Sequence, residues 1–151
     1  MTPELNTALK TFKTCADPLR HHASCRPDAQ ASVFEGRATS YSQLQTRSNR
    51  IANALVASGV ARQERVAILA KNSDLFFELN FGCWKVDVGL VPVNFRLAPP
   101  EMAGIIRDAH ASMLFVDDAF APMAEQLREE LPDVREVISL GQNATEWQPF
   151  A

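Results

Sequence analysis

Residues 65–97 constrain the fold more than any other part of the chain. Two short apolar runs, Val66-Ala67-Ile68-Leu69-Ala70 and Val88-Gly89-Leu90-Val91-Pro92-Val93, flank a helix-length segment, Leu75-Phe76-Phe77-Glu78-Leu79-Asn80-Phe81-Gly82-Cys83-Trp84. Two buried strands joined by a helix make a crossover, the unit from which parallel sheets are built. A turn at Asn72-Ser73-Asp74 opens the helical segment. Within it Phe76, Leu79 and Cys83 form one stripe at helical spacing, and Phe77, Phe81 and Trp84 form another. A helix with two apolar stripes is expected to be covered on two sides. No residue of the unit is an obvious catalyst.

The remaining chain extends this pattern. Residues 1–13 are expected to form a weak helix, with Leu5, Ala8, Leu9 and Phe12 on one side. Asp17-Pro18 starts a second helix, since proline suits the first helical turn. It stops before Arg26-Pro27, because a residue preceding proline avoids helical backbone angles. Residues 31–34 and 37–40 flank the turn signal Glu35-Gly36 and predict a small hairpin. Ser40 and Gln43 have the spacing of a capping box. The helix they open is expected to bury Leu44, Ile51, Ala54 and Leu55 and to end at Gly59. Ala98-Pro99-Pro100-Glu101 opens a helix with Met102, Ile105 and Ile106 apolar; residues 113–116 and 134–140 read as strands, and residues 122–131 as a helix between them. Helices alternating with short apolar runs predict an α/β fold, a largely parallel sheet with flanking helices. Residues 1–26 are read as an N-terminal helical segment, 27–142 as an α/β unit, and 143–151 as a tail or truncation point.

Composition narrows the function classes. A net charge of −3 with interspersed signs leaves no basic footprint for nucleic acid. No apolar run approaches the ~20 residues of a membrane span, and the N-terminus lacks a signal-peptide core. Cys15, Cys25 and Cys83 are odd in number and scattered, which favours a reducing, cytoplasmic setting over a disulfide framework.

Each candidate for chemistry has a plainer competitor. The glycines at 36, 59, 82, 89, 104 and 141 form no phosphate-binding loop, and no Walker-type Lys-Ser/Thr pair occurs. His21 and Cys25, four apart beside His22, could place two metal ligands on one helix face. No second ligand pair follows, so exposed histidines beside a partly packed cysteine are the plainer reading. A Cys83–His110 pair would need a geometry that nothing in the sequence supports, and a buried thiol is normally inert. Asp117-Asp118 ends a strand where α/β ligands gather, but Asp also favours helix caps. The aromatic stripe could line a pocket; at helical spacing, core packing is the commoner role. Asn143-Ala144-Thr145 matches a glycosylation acceptor that a cytoplasmic chain would not use.

Three stretches together carry a resemblance. They are Ala38-Thr39-Ser40-Tyr41-Ser42-Gln43-Leu44 with Ser48-Asn49-Arg50-Ile51-Ala52-Asn53-Ala54-Leu55 and Gly59-Val60; Arg65-Val66-Ala67-Ile68-Leu69 with Asn72; and Trp84-Lys85-Val86-Asp87-Val88-Gly89-Leu90-Val91-Pro92-Val93-Asn94-Phe95-Arg96-Leu97. In this order they resemble the N-terminal part of the adenylate-forming, AMP-binding enzymes, in the form typical of fatty acid and aryl acid CoA ligases (acyl-CoA synthetases). The connector Ala61-Arg62-Gln63-Glu64 and the pair Asp87-Val88 depart from the usual pattern and look like loop and packing variation. The resemblance implies part of the large N-terminal domain of the acyl-CoA synthetase-like fold. It implies ATP, Mg²⁺ and CoA as cofactors of a full-length enzyme and a carboxylic acid as substrate. The phosphate loop, the Mg²⁺-binding glutamate and the catalytic lysine of the family lie outside this region. No catalytic, cofactor-binding or metal residue is therefore assigned, and the chain alone is expected to be inactive and to self-associate through its apolar face. The rival expectations are an α/β interaction module without catalysis and a small nucleotide-binding or redox domain.

Overall fold

The computed structural model describes residues 10–141 and the strand backbone at Gln148–Pro149. The elements are α1 (Asp17–Cys25), β1 (Gln30–Phe34), β2 (Arg37–Ser40), α2 (Tyr41–Ala57), β3 (Arg65–Leu69), α3 (Asp74–Lys85), β4 (Gly89–Pro92), α4 (Pro99–Asp108), β5 (Ala111–Val116), α5 (Ala121–Leu127), β6 (Glu136–Ser139) and β7 (Gln148–Pro149). Short 3-10 turns, Asp118–Phe120 and Arg128–Glu130, bracket α5. The helix expected over residues 122–131 is thus α-helical to Leu127 and passes into a 3-10 turn over Arg128–Glu130. Of the helix expected over residues 1–13, residues 10–13 are turn and irregular chain, and the rest lies outside the described residues.

β1 and β2 form an antiparallel hairpin, with the turn taken by Glu35 (φ 48°) and Gly36 (φ 79°). The other strands form one parallel sheet in the order β4-β3-β5-β6-β7. Pro149 lies on the edge strand, where a missing amide breaks no interior ladder.

The order explains how the layers form. A parallel crossover is almost always right-handed, so reversing direction along the sheet sends the connecting helix to the other face. The chain runs from β3 outward to β4 through α3, then back across β3 to β5 through α4. α2 and α3 accordingly cover one face, with Ile51, Leu55, Leu79 and Cys83 on Val66, Ile68, Met113 and Phe115. α4 and α5 cover the other, with Met102, Ala103, Ile106 and Leu127 on Ala67, Leu69, Leu114 and Val116. Alternate residues of β3 and β5 enter opposite cores, which is why both strands read as unbroken apolar runs.

The helix starts follow the sequence closely. Ser40 Oγ accepts from Gln43 N at 3.3 Å, and Gln43 Oε1 accepts from Ser40 N at 2.9 Å. Ser73 Oγ caps α3 by accepting from Phe76 N at 3.1 Å. Glu101 Oε2 reaches back to the Ala98 amide at 2.9 Å. Gly59, at φ 75°, turns the chain out of α2.

One inward assignment is corrected, and one apolar residue of α4 lies outward. Ala54 is exposed and Ala52 takes the core position, while Ser48 is fully buried in the same helix. Ile105 is exposed, and Ala103 packs in its place. Leu44, Ile51 and Leu55 in α2 and Met102 and Ile106 in α4 are buried.

The largest correction concerns α3. It is covered on two sides, but the second side is not the aromatic stripe. Leu79 and Cys83 face the sheet, whereas Glu78, Gly82 and Lys85, spaced i, i+4 and i+7, face α2. Phe77, Phe81 and Trp84 form an edge-to-face ladder with centroids 5.1 Å apart at each step, and Phe77 and Trp84 are exposed.

Candidate functional site

In an open parallel sheet, ligands gather at the carboxyl ends of strands where the connections diverge to opposite faces. Here that point lies between β3 and β5. The loops that form it follow β3 (residues 70–73), β4 (94–97), β5 (117–120) and β6 (140–141). The Asp117 amide donates to Leu69 O at 3.1 Å and holds the two central loops together. Phe95 and Phe120 stack beside them with centroids 5.1 Å apart, and the Arg96 guanidinium lies over Phe95.

Most of the polar groups at this edge are already committed to the fold. Asp117 Oδ1 accepts from Ala119 N at 3.0 Å, which is the cap role. Asp118 Oδ1 accepts from Ser139 Oγ at 2.9 Å, and Ser139 Oγ accepts from Gly141 N at 3.0 Å. A side chain at Gly141 would run into the Asp118 carboxylate, which would have to move from its place beside Ser139 Oγ. Asp74 receives the Arg37 guanidinium at 3.1 Å and fastens the hairpin to α3. Among the described residues, these groups contain no nucleophile with a base and an orienting partner. No described loop fits a nucleotide phosphate chain: Gly36 and Gly59 serve turns, Gly82 and Gly104 lie inside helices, and Gly89 begins a strand.

The other candidates separate cleanly. Cys83 is buried in the core beneath α3, where burial pushes its thiol up to about 12. His110 follows α4, is exposed, and pairs through Nδ1 with Asp133 Oδ2 at 2.9 Å. The two do not form a pair. The Asn143 acceptor sequence lies outside the described residues. His21, His22 and Cys25, by contrast, do converge on one side of α1, with their ligand atoms all within 4.8 Å of one another.

One groove escaped the sequence reading. It has a volume of about 890 Å³ and lies where β3 and β4 begin, with Lys13, Arg20, Arg62, Arg65, Trp84 and Lys85 in its walls. Its cations come from four separate segments, so no local run of charge announced it. Lys85 is its most buried cation. Burial, with a contribution from Arg20, pulls its ammonium down to about 8. Four oxygens support the charge: Ser48 Oγ and Asn49 Oδ1 at 2.7 Å, Gln45 Oε1 at 2.9 Å and Gln45 O at 3.2 Å.

The fold is a parallel α/β sheet with helices on both faces, and comparison with known proteins gives it a family. Residues 19–150 match the family described as AMP-binding enzyme, and the chain belongs to that family. It is 38% identical over 146 residues, 97% of this chain and 26% of the relative, to a fatty acid–[acyl-carrier-protein] ligase, ScoC, of Streptomyces coeruleorubidus. It is 38% identical over 113 residues, 75% of this chain and 22% of the relative, to an indoleacetate–CoA ligase of Aromatoleum aromaticum. Among solved structures, the anthranilate CoA ligase AuaEII in complex with anthranoyl-AMP superposes with a TM-score of 0.87 at 28% identity, over 92% of this chain and 27% of that one. The N-terminal domain of FACL13 from Mycobacterium tuberculosis superposes with a TM-score of 0.80 at 32% identity, over 85% and 34%. The chain spans about a quarter of the length of these curated relatives. Its sheet and flanking helices are part of the N-terminal domain of the acyl-CoA ligase fold. No described helix is long and apolar enough to cross a membrane.

Proposed function

We propose that this chain is the N-terminal portion of an acid–CoA ligase that activates a fatty or aryl carboxylic acid. The observation that carries this reading is the family match over residues 19–150, together with relatives that are acid ligases. In the proposed reaction the carboxylate oxygen attacks the α-phosphorus of ATP, pyrophosphate leaves, and a thiol then displaces AMP from the acyl-adenylate. ATP, with Mg²⁺, and CoA belong to the whole enzyme. Charge develops on phosphoryl oxygens, so the step needs cationic and amide donors aimed there. The described residues offer scaffold for that site and no such donors, so the chain alone is proposed to be inactive. Three free cysteines support a reducing, cytoplasmic setting.

Acid-dependent exchange of pyrophosphate into ATP by the native protein, followed by hydroxylamine trapping of the acyl group, tests the reading. Absence of exchange across a panel of fatty and aryl acids would overturn it. A second reading concerns only the acceptor. The match to a carrier-protein ligase over 97% of this chain favours a carrier-protein thiol, and offering both CoA and an acyl carrier protein decides between them.

The proposal includes self-association of the chain through the Phe77–Phe81–Trp84 ladder, whose two end rings are exposed, because an apolar edge of this kind favours a partner. A monomer by light scattering at high concentration, without binding of a hydrophobic dye, would count against it.

A further inference from the structure

We propose that His21, His22 and Cys25 form a binding site for a divalent transition-metal ion of the zinc class on α1. The site lies on α1, which contributes no strand to the parallel sheet.

The case begins with convergence. His21 and Cys25 are one helical turn apart and His22 is beside them, so three donors leave the last turn and a half of α1 together. Their ligand atoms all lie within 4.8 Å of one another. Zinc bonds of about 2.0–2.3 Å in a tetrahedron place ligand atoms roughly 3.3–3.8 Å apart. Closing about 1 Å requires only side-chain rotation at half-buried or exposed positions. Water would complete the coordination.

Donor chemistry selects the metal. Two imidazoles and a thiolate suit zinc, cobalt and nickel and disfavour calcium and magnesium, which prefer oxygen. The backbone favours a cation here as well, since the carbonyls of the last helical turn carry partial negative charge.

Arg26 is the competitor. Its Nε donates to His22 Nδ1 at 3.2 Å, and its Nη2 lies 3.3 Å from both His22 Nε2 and Tyr41 Oη. A metal at His22 must displace this guanidinium. The displaced side chain can keep Tyr41, over whose ring it already lies at 5.0 Å. Arg26 therefore lowers affinity without blocking the site, and its removal should strengthen binding. That response separates a metal site from three surface side chains that merely lie close together.

The test is titration of the reduced protein with Co²⁺, followed through the thiolate-to-cobalt charge-transfer band, with Zn²⁺ as competitor. The native chain should develop the band and lose it to zinc. C25S should abolish it, and H21A and H22A should each weaken binding by about tenfold or more. R26A should tighten binding, and C15S should leave it unchanged. Cys15, Cys25 and Arg26 are exposed, so these three variants keep the fold. No band at millimolar cobalt, a band that survives C25S, or one lost in C15S would overturn the proposal.

Discussion

Lys85 Nζ donates to Ser48 Oγ across 2.7 Å, and Ser48 Oγ in turn donates to Leu44 O at 2.6 Å. The last turn of α3 is thereby tied to the backbone of α2 through one buried hydroxyl.

This clasp has a pH signature. The folded-state ammonium of Lys85 is pulled down to about 8 from 10.5. Between those values the unfolded chain binds more protons than the folded one, so stability rises with pH across that window. Urea unfolding of the wild type and K85M from about pH 7 to 10 should show the wild type gaining on the variant above pH 8. A pH-independent difference would refute the assignment. Cys83 acts with opposite sign above its ordinary 9.0, and its presence in both chains cancels that contribution.

Gly82 and Gly104 both lie inside helices, yet their substitution should have opposite effects. A Cβ at Gly82 would come within 2.7 Å of Ile51 Cβ and 3.3 Å of Ser48 O, so G82A should cost about 1–3 kcal/mol by forcing α2 and α3 apart. Gly104 has open space around it, and G104A should stabilise by about 0.5–1 kcal/mol through helix propensity. Chemical denaturation of the two variants checks the pair.

Glu78 is buried and receives Arg47 Nη1 at 2.8 Å, while Arg47 itself is half in solvent. R47A leaves the carboxylate buried without its partner and should cost about 1–3 kcal/mol. Arg62 and Asp87 form an ion pair of similar length on the open surface, with side chains 82% and 53% exposed. R62A should cost less than about 0.5 kcal/mol. Equal effects at the two sites would contradict the burial argument.

Thiol chemistry should count the cysteines in two stages. Cys15 and Cys25 are exposed and Cys83 is buried. An aromatic disulfide reagent should therefore modify two thiols rapidly in the native chain and the third only on unfolding. Rapid modification of all three would place Cys83 outside the core.

What could be read from the sequence depended on what kind of residue filled each stripe. β3 and β5 were visible because strands buried on both faces are apolar at nearly every position. The cap at Ser40 was visible because capping uses few residue types at fixed spacing. The α2-facing side of α3 was not, because Glu78, Gly82 and Lys85 are polar or small and bury through an ion pair, a close approach and a hydrogen-bonded ammonium. Phe77, Phe81 and Trp84 drew attention as apolar residues, yet they are on an exposed edge. Asp117 takes the cap role that the sequence favoured, while the bond from Ser139 Oγ to Asp118 joins positions too far apart in sequence to be read. The cationic groove could not be read, since Lys13, Arg20, Arg62 and Lys85 meet only in three dimensions.

The reversal of direction at β3 also sets the order in which a growing chain can fold. Arg65 must pair with residues near Ser112, whose hydroxyl donates to its carbonyl from 47 positions further on. Until that segment leaves the ribosome, β3 has a neighbour on one side only. α2, made earlier still, has α3 to pack against but no finished sheet to cover. The first half of this chain therefore waits during synthesis for its second half, and a holding chaperone would find its target in that interval.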